Sequence, residues 1–159
     1  MTAIGFEKHD HSHCIADALS AAETRCKAQK LQFTPARRRV LEILLERHRA
    51  MGAYEILDIL AAEGLGSQPP VAYRALDFLV KNGFAHRIER LNAYAACTHP
   101  GEQHVPAFLI CRSCKAVAET ETGLDSGRLG AAARDTGFVI EKVVVEAEGL
   151  CPGCAEAAA

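Results

Sequence analysis

The 159-residue sequence predicts an α+β protein built from two consecutive parts. Apolar residues recur at helical spacing through the first half of the chain, which predicts several amphipathic helices. After Gly83 the spacing changes to alternation, which predicts short strands. Two C-x-x-C pairs then follow, at 111–114 and 151–154. Together these patterns predict a helical domain followed by a smaller α/β domain.

Composition and charge limit the class of protein. No apolar run approaches the length of a membrane span, and the net charge is −2. That small value hides an asymmetry, because residues 23–49 contain eight Lys or Arg against three Glu, whereas residues 116–159 contain three basic and eight acidic residues. A basic first half favours contact with phosphate, although a solvated helix face explains the same charges equally well.

The cysteine content bears on the compartment. Residues 1–14 contain no apolar segment, so we expect no secretory signal. The chain contains seven cysteines. Without an export signal, this number predicts a cytoplasmic protein whose thiols bind metal instead of forming disulfides.

Four helices are predicted in the first half. Thr34 and Pro35 begin the second as N-cap and first helical residue. The third spans 53–62, and the fourth begins near 67–70 and ends at Gly83. The first helix has its apolar positions at Ile15, Leu19, Ala22 and Cys26.

Two short strands follow, at 85–90 and 93–97, joined by a turn at 91–92. Helices followed by a two-stranded hairpin form the winged helix-turn-helix arrangement, in which the fourth helix enters a groove of DNA. We therefore assign residues 1–98 to a DNA-binding domain.

A second, smaller domain is predicted at 107–159, after a hinge at 99–106 that contains Pro100, Gly101 and Pro106. Domains of this size often need a metal or a partner copy for stability, so we expect dimerisation here. Its predicted elements are strands at 107–110 and 117–122, a helix at 125–136 with Leu129, Ala132 and Ala133 facing inward, and a β-rich segment at 138–145.

The two C-x-x-C pairs are predicted to bind structural zinc. Each turn points two thiolates at one ion, and two turns supply a closed tetrahedral site with no open position for catalysis. The alternative is a redox-active pair, but we expect neither pair to open a helix in a βαβ unit. The predicted ligands are Cys111, Cys114, Cys151 and Cys154.

Seven stretches of the chain form a distinctive set: FTPARRRVL (33–41), AYEILD (53–58), PPVAYRALDFL (69–79), GFAH (83–86), NAYAAC (92–97), FLICRSCKAVAE (108–119) and GLCPGC (149–154). Together they resemble the ferric uptake regulator family, and in particular its zinc uptake regulator branch. The resemblance implies a winged-helix homodimer that binds a palindromic site in double-stranded operator DNA when a regulatory metal is bound. Val71-Ala72 stand where the family usually has Thr-Val, so a hydroxyl that could contact phosphate is absent.

The resemblance also implies a regulatory zinc, which makes two zinc ions per chain. Its implied ligands are His86, Cys97, His104 and Glu119. One thiolate, two imidazoles and one carboxylate suit tetrahedral zinc. Cys97 favours zinc over iron or manganese, although Cu(I) and Co(II) accept the same ligands. Because the ligands come from both domains and the hinge, the bound metal would fix the angle between the domains.

Each regulatory residue also has a simpler interpretation. His86 could be a surface histidine, Cys97 a small buried apolar residue, and Glu119 a solvated strand residue. His99 competes with His104 as a ligand. We expect residues 1–13 to form a mobile segment and Cys26 to occupy a core position of the helix that follows. A third metal site is a minor alternative, with His9, His11, His13, Cys14 and Cys26 as its ligands.

Tyr73 and Arg74 match the base-contacting pair of the family. Arginine can bind the O6/N7 edge of guanine, and tyrosine can pack on a thymine methyl group. An ion pair between Arg74 and Asp77 is the simpler interpretation. Candidates for phosphate contact, which positions a protein without specifying a sequence, are Tyr54, Arg37, Arg38 and Arg39.

The sequence thus predicts a zinc-sensing transcriptional repressor of zinc uptake genes. It is not predicted to be an enzyme, because no nucleophile–base pair or phosphate loop is present. The alternatives are an iron, manganese or peroxide sensor of the same family, a zinc storage or delivery protein, and an enzyme with catalytic zinc.

Overall fold

The computed structural model describes residues 6, 12–47, 49–102, 104–123 and 127–159. Two compact units are present, one formed from Glu7–Gly101 and one that contains Glu102–Ala159. We refer to them as the N-terminal unit and the C-terminal unit. Within the described ranges, no helix is both long and apolar enough to span a membrane.

The described part of the N-terminal unit is a set of four helices followed by a hairpin. A 3₁₀ turn at Glu89–Leu91 and a left-handed Asn92 join the two strands, so the first strand ends earlier than predicted. The strands pair antiparallel, with Ala85 opposite Ala96. The predicted winged helix-turn-helix arrangement is confirmed. The elements are α1 (Ser12–Ala28), α2 (Pro35–Glu46), α3 (Ala53–Ala62), α4 (Pro69–Lys81), β1 (Ala85–Ile88) and β2 (Ala93–Ala96).

Local signals set the ends of these helices. Thr34 caps α2, because its Oγ1 accepts a hydrogen bond from the Arg37 N–H at 3.3 Å. At the end of α4, Gly83 adopts a φ of 75°, which a residue without a Cβ tolerates best. There the Phe84 N–H donates to the Leu79 carbonyl at 2.8 Å, which closes the helix in a Schellman motif.

A continuous apolar core stabilises the N-terminal unit. Fully buried side chains of α2, α3 and α4 contribute to it, among them Val40, Ile56, Leu60 and Leu76. Cys26 of α1 belongs to the same core and is 1% exposed, so the prediction of a core position is confirmed. Burial raises the pKa of this thiol, which keeps it protonated.

The start of α1 differs from the expectation of a mobile segment at 1–13. The helix begins at Ser12, so His13 and the exposed Cys14 lie on its first turn. His9 and His11 lie outside the described residues.

The C-terminal unit is a three-stranded sheet with two short helices. The order of the strands is β4-β3-β5, with β3 antiparallel to β4 and parallel to β5. The elements are β3 (Pro106–Cys111), β4 (Val117–Glu121), α5 (Arg128–Thr136), β5 (Val145–Gly149) and α6 (Pro152–Ala158).

Two expectations for this unit are wrong. The strand lies at 145–149, whereas residues 138–144 form no regular structure. On α5 only Ala133 of the three predicted inward residues is buried, whereas Leu129 and Ala132 are exposed. Cys151 is the N-cap of α6, so the second C-x-x-C pair opens a short helix, whereas the first pair lies between β3 and β4. The predicted start of α5, at 125, falls among residues outside the description.

Candidate metal centres and nucleic-acid interface

The four-cysteine cluster is assembled by the parallel pairing of β3 with β5. Cys111 lies opposite Gly149 in this pairing, and the Arg112 N–H donates to the Gly149 carbonyl at 2.9 Å. The two C-x-x-C turns therefore leave adjacent strands at the same end of the sheet. The four sulfur atoms all lie within 4.8 Å of one another.

The spacing of the sulfur atoms fits a zinc ion. Cys114 Sγ and Cys151 Sγ are 3.7 Å apart, and the cysteines form no disulfide. Zn–S bonds of about 2.3 Å in a tetrahedron place sulfur atoms about 3.8 Å apart. The side chains present can thus hold the ion without rearrangement of the fold.

The electrostatics of the cluster also favour the binding of a divalent cation such as zinc. Backbone hydrogen bonds from Cys151 and Cys114 lower the pKa of Cys111 to about 6. A hydrogen bond with Ser113 favours the Cys154 thiolate, but the neighbouring thiols raise the pKa of Cys154 to about 11. The Cys111 thiol therefore ionises readily, whereas the Cys154 thiol resists ionisation because adjacent thiolates repel each other. A divalent cation removes that repulsion and binds all four thiolates.

His86 and Cys97 lie together at the base of the hairpin in the N-terminal unit. His86 belongs to β1, pairs with Ala95 and is half-buried. Cys97 follows β2, is 6% exposed and donates its N–H to the Phe84 carbonyl at 2.9 Å. A ring nitrogen of His86 lies within 4.8 Å of Cys97 Sγ, which is a spacing that suits two ligands of one ion.

His104 and Glu119 form a second pair, within the C-terminal unit. His104 Nε2 is 2.8 Å from Glu119 Oε1, and His104 Nδ1 is 2.8 Å from the Glu102 carbonyl. Burial alone would lower the pKa of His104, but the hydrogen bonds with Glu102 and Glu119 outweigh it and raise the pKa. A backbone carbonyl that accepts from Nδ1 orients the ring, as is typical of histidines that bind metal through Nε2.

Burial and side-chain contacts test the simpler interpretation of Glu119 and the competing ligand His99. Glu119 is 7% exposed, so it is not a solvated strand residue. A buried carboxylate needs a partner, and His104 provides one. His99, the competing ligand, instead places its Nδ1 3.0 Å from the Thr98 hydroxyl.

Comparison with known proteins identifies the family. The zinc uptake regulation protein of Escherichia coli is 37% identical over 142 residues, which cover 88% of this chain and 82% of that protein. The chain belongs to the zinc uptake regulator branch of the ferric uptake regulator family. It is thus a member of a regulator family and not of an enzyme family.

Two solved structures of zinc uptake regulators support this assignment. A structure of a zinc uptake regulator complexed with zinc and DNA matches with a TM-score of 0.85 and 34% identity, over 91% of this chain and 97% of that chain. The crystal structure of holo XcZur matches with a TM-score of 0.78 and 38% identity, over 88% of this chain and 98% of that chain. No protein-family model matches the sequence.

The predicted base-contacting residues of this regulator lie on an exposed aromatic surface. Tyr54 of α3 is 64% exposed and Tyr73 of α4 is 39% exposed. Their rings meet edge to face, with centroids 6.5 Å apart. Arg74 is also exposed, and within the described ranges it pairs with neither Asp77 nor another residue, so the simpler interpretation is not supported.

The three consecutive arginines of α2 have different environments. The Arg37 guanidinium lies 4.0 Å from the centroid of the Phe78 ring, and Arg38 forms an ion pair with Glu23. Both side chains retain an exposed portion, so a phosphate could compete for them.

Arg39 has a role that the sequence analysis missed. Its guanidinium binds both oxygens of Glu63 at 2.8 Å and also contacts Glu42 at 3.1 Å and Glu46 at 2.9 Å. Because Glu63 is the C-cap of α3, Arg39 ties α2 to α3. Its charge is therefore engaged within the protein, which weakens its candidacy as a phosphate contact.

Proposed function

We propose that this chain is a zinc-responsive transcriptional repressor that binds a palindromic DNA operator as a zinc-loaded homodimer and controls zinc uptake genes. The observation that carries the proposal is the match, over 91% of the chain, to a regulator solved with both zinc and DNA. The alternative of a storage protein would not require the exposed tyrosine and arginine surface on α3 and α4.

The four-cysteine cluster binds a structural zinc in this proposal. Support comes from the 3.7 Å separation of two of its sulfur atoms and from the lowered pKa of Cys111. All four ligands belong to one small unit, so the ion stabilises that unit and has no free coordination position.

A second, regulatory zinc is bound by His86, Cys97, His104 and Glu119, which makes two zinc ions per chain. Support comes from the spacing within each pair and from the Nδ1 hydrogen bond that orients His104. A mixed set with one thiolate favours zinc over manganese. Because the DNA-binding domain at 1–98 and the dimerisation domain at 107–159 each supply ligands around the hinge at 99–106, loss of the ion would release one domain from the other.

The DNA contacts in this proposal are made by α4 and its neighbours. Arg74 and Tyr73 contact bases, whereas Tyr54, Arg37 and Arg38 contact phosphate. Support comes from the exposure of both tyrosines and from the availability of Arg74 within the described ranges.

Dimerisation is supported by the exposed apolar side chains of the C-terminal unit. A cavity of about 370 Å³ opens between α5 and the segment that follows it, lined by residues that include Leu129, Ala133, Phe138 and Ile140. Phe138 is 68% and Val139 79% exposed. Adjacent exposed apolar side chains in a soluble domain indicate an interface, and two copies related by two-fold symmetry match a palindromic operator.

Selection from a pool of random DNA, with and without zinc, tests the proposal. We expect enrichment of a palindromic sequence only with zinc. Metal binding without enrichment of any sequence would support a storage protein and contradict the proposal. Parallel selections with iron and manganese decide whether zinc is the sensed metal.

The His86→Ala variant separates the two proposed metal sites. It should leave the dimer folded, with one zinc per chain, and should lose metal-dependent DNA binding. If the variant instead loses both zinc ions and unfolds, the division into structural and regulatory sites is wrong.

A further inference from the structure

Arg25, in the last turn of α1, contacts both ends of the hairpin in the N-terminal unit. Its Cζ lies 4.9 Å from the centroid of the Phe84 ring. A Cβ built on Gly83 would lie 3.9 Å from both terminal nitrogens of Arg25, and a Cβ built on Gly101 would lie 3.8 Å from Nη1. The guanidinium thus lies against the residues that precede the hairpin and those that follow it.

The position of this guanidinium is not explained by hydrogen bonding. Nη1 of Arg25 is buried and donates no hydrogen bond to a described residue. A buried donor without a partner carries a desolvation cost. The attraction between the guanidinium and the Phe84 ring offsets part of that cost. A solvent-exposed rotamer of Arg25 would avoid the desolvation cost, but the side chain is buried instead.

Phe84 is the residue through which the hairpin base is fixed. Its N–H donates to the Leu79 carbonyl of α4 at 2.8 Å, and its carbonyl accepts from the Cys97 N–H at 2.9 Å. Its side chain is 4% exposed. His86 follows two positions later, on β1. The placement of Phe84 therefore sets the position of Cys97 and His86 relative to α4.

We propose that Arg25 is a positioning residue for the zinc-binding pair His86 and Cys97, and that it links this pair to α4. The inference rests on the proposed regulatory zinc site. Arg25 touches the ring of Phe84 and not a ligand. Its guanidinium packs on the Phe84 ring. The Phe84 carbonyl accepts the Cys97 N–H, which fixes the backbone from which the Cys97 sulfur reaches His86. Mutation of residues that orient metal ligands typically costs about 10–100-fold in metal affinity.

A cobalt titration of the full chain tests the proposal. The four-cysteine site is kept loaded with zinc, and Co(II) is added to the second site, where its thiolate charge-transfer band reports the bond to Cys97. Arg25→Met should weaken Co(II) binding about tenfold and shift the band. Arg25→Lys keeps a cation over the ring and should retain most of the affinity. The matched control is Lys27→Met, an exposed position on the same helix, which should bind like the unmodified chain.

A second variant removes the ring instead of the cation. Phe84→Leu should weaken Co(II) binding in the same direction, and the double variant with Arg25→Met should lose less than the sum of the two effects, because both act through one contact. A folded Arg25→Met variant with unchanged affinity, or strictly additive losses, would overturn the proposal. If Arg25→Met does not fold, Phe84→Leu decides, and unchanged affinity in that variant overturns the proposal.

The His86→Ala variant distinguishes failure of this inference from failure of the proposed function. If His86→Ala binds Co(II) with an unchanged band, the proposed regulatory site itself is wrong. If His86→Ala loses the band while Arg25→Met binds normally, only the role of Arg25 is wrong.

Discussion

The two units differ in how they bury apolar side chains. In the N-terminal unit one continuous cluster extends from α1 to the hairpin and includes the fully buried Ile56, Leu60 and Leu76. The C-terminal unit buries a few residues of its sheet, such as Phe108 and Ile110, while Phe138 and Val139 are exposed. The first unit can thus be stabilised by its own core, whereas the small core of the second is the reason we propose a structural zinc and a partner copy for it.

Loss of the four-cysteine zinc should produce the largest difference between the units. Cys111→Ser removes a ligand, and structural zinc contributes roughly 10–16 kcal/mol of apparent binding free energy to domains of this kind. We expect the C-terminal unit to unfold while the N-terminal unit keeps its own thermal transition, as followed by calorimetry and zinc content. Cys14→Ser, at an exposed cysteine, is the control and should change neither quantity. A single shared transition lost in Cys111→Ser would contradict independent stabilisation.

A core truncation in the other unit should give the reverse pattern. Ile56→Ala leaves a cavity beside fully buried neighbours and should lower the free energy of unfolding of the N-terminal unit by about 2–5 kcal/mol. Urea denaturation measures this change. The four-cysteine site should still bind zinc with unchanged stoichiometry, and a loss of that zinc would show that the units do not fold separately.

A charge on the exposed apolar surface should break the dimer. Phe138→Asp places an unpaired carboxylate in the proposed interface and should weaken dimerisation by about 2–4 kcal/mol, as for a central interface residue. Sedimentation measures the shift from dimer to monomer. Glu141→Gln, an exposed change nearby, should leave the dimer intact. An unchanged dimer in Phe138→Asp would place the interface elsewhere.

A smaller effect is expected at the proposed base contact. Arg74→Ala should weaken operator binding by about 1–3 kcal/mol and relax the base preference at one position of each half-site. Fluorescence anisotropy with the selected operator and with scrambled DNA measures both. Asp77→Asn is the control for the surface charge of α4. If Arg74→Ala weakens binding to both DNAs equally, Arg74 contacts phosphate and not a base.

The smallest expected effect is a change in melting temperature on loss of the ion pair between Arg39 of α2 and Glu63 at the end of α3. The hydrogen bond from Arg39 lowers the pKa of Glu63 below its usual 4.5. A depressed carboxylate pKa contributes stability that is complete above the unfolded pKa and is lost as the pH falls through the folded pKa. Glu63→Gln should therefore lower the melting temperature slightly at pH 7 and by less at pH 3, because exposed ion pairs contribute little. An equal effect at both values would exclude the ion pair as the cause.

Local patterns in the sequence predicted most of the N-terminal unit. The predicted third helix, 53–62, coincides with α3, and Thr34 and Gly83 lie at the helix ends where their backbone preferences place them. The C-terminal unit was predicted less well. The apolar residues at 138–144 have strand-like composition, but most of their side chains are exposed and only β5 pairs with the sheet. Strand propensity without a pairing partner does not make a strand.

Residue type and resemblance predicted the proposed metal ligands, but the sequence did not predict the burial and contacts of their side chains. Glu119 resembles any strand glutamate in the sequence, and only burial beside His104 distinguishes it. Arg39 looked like its two neighbours in the sequence, yet its contacts with Glu63 come from a helix far along the chain.

By itself the sequence determined the helix ends, the two C-x-x-C turns and the family, because these depend on short-range backbone preferences and on residue identity. Only the tertiary structure decided that β3 and β5 run parallel and bring the four sulfur atoms together. It also decided that Arg25 contacts Phe84 and that Leu129 of α5 is exposed. The physical reason is that such contacts join residues far apart in the chain, so their free energy depends on the packing of whole elements.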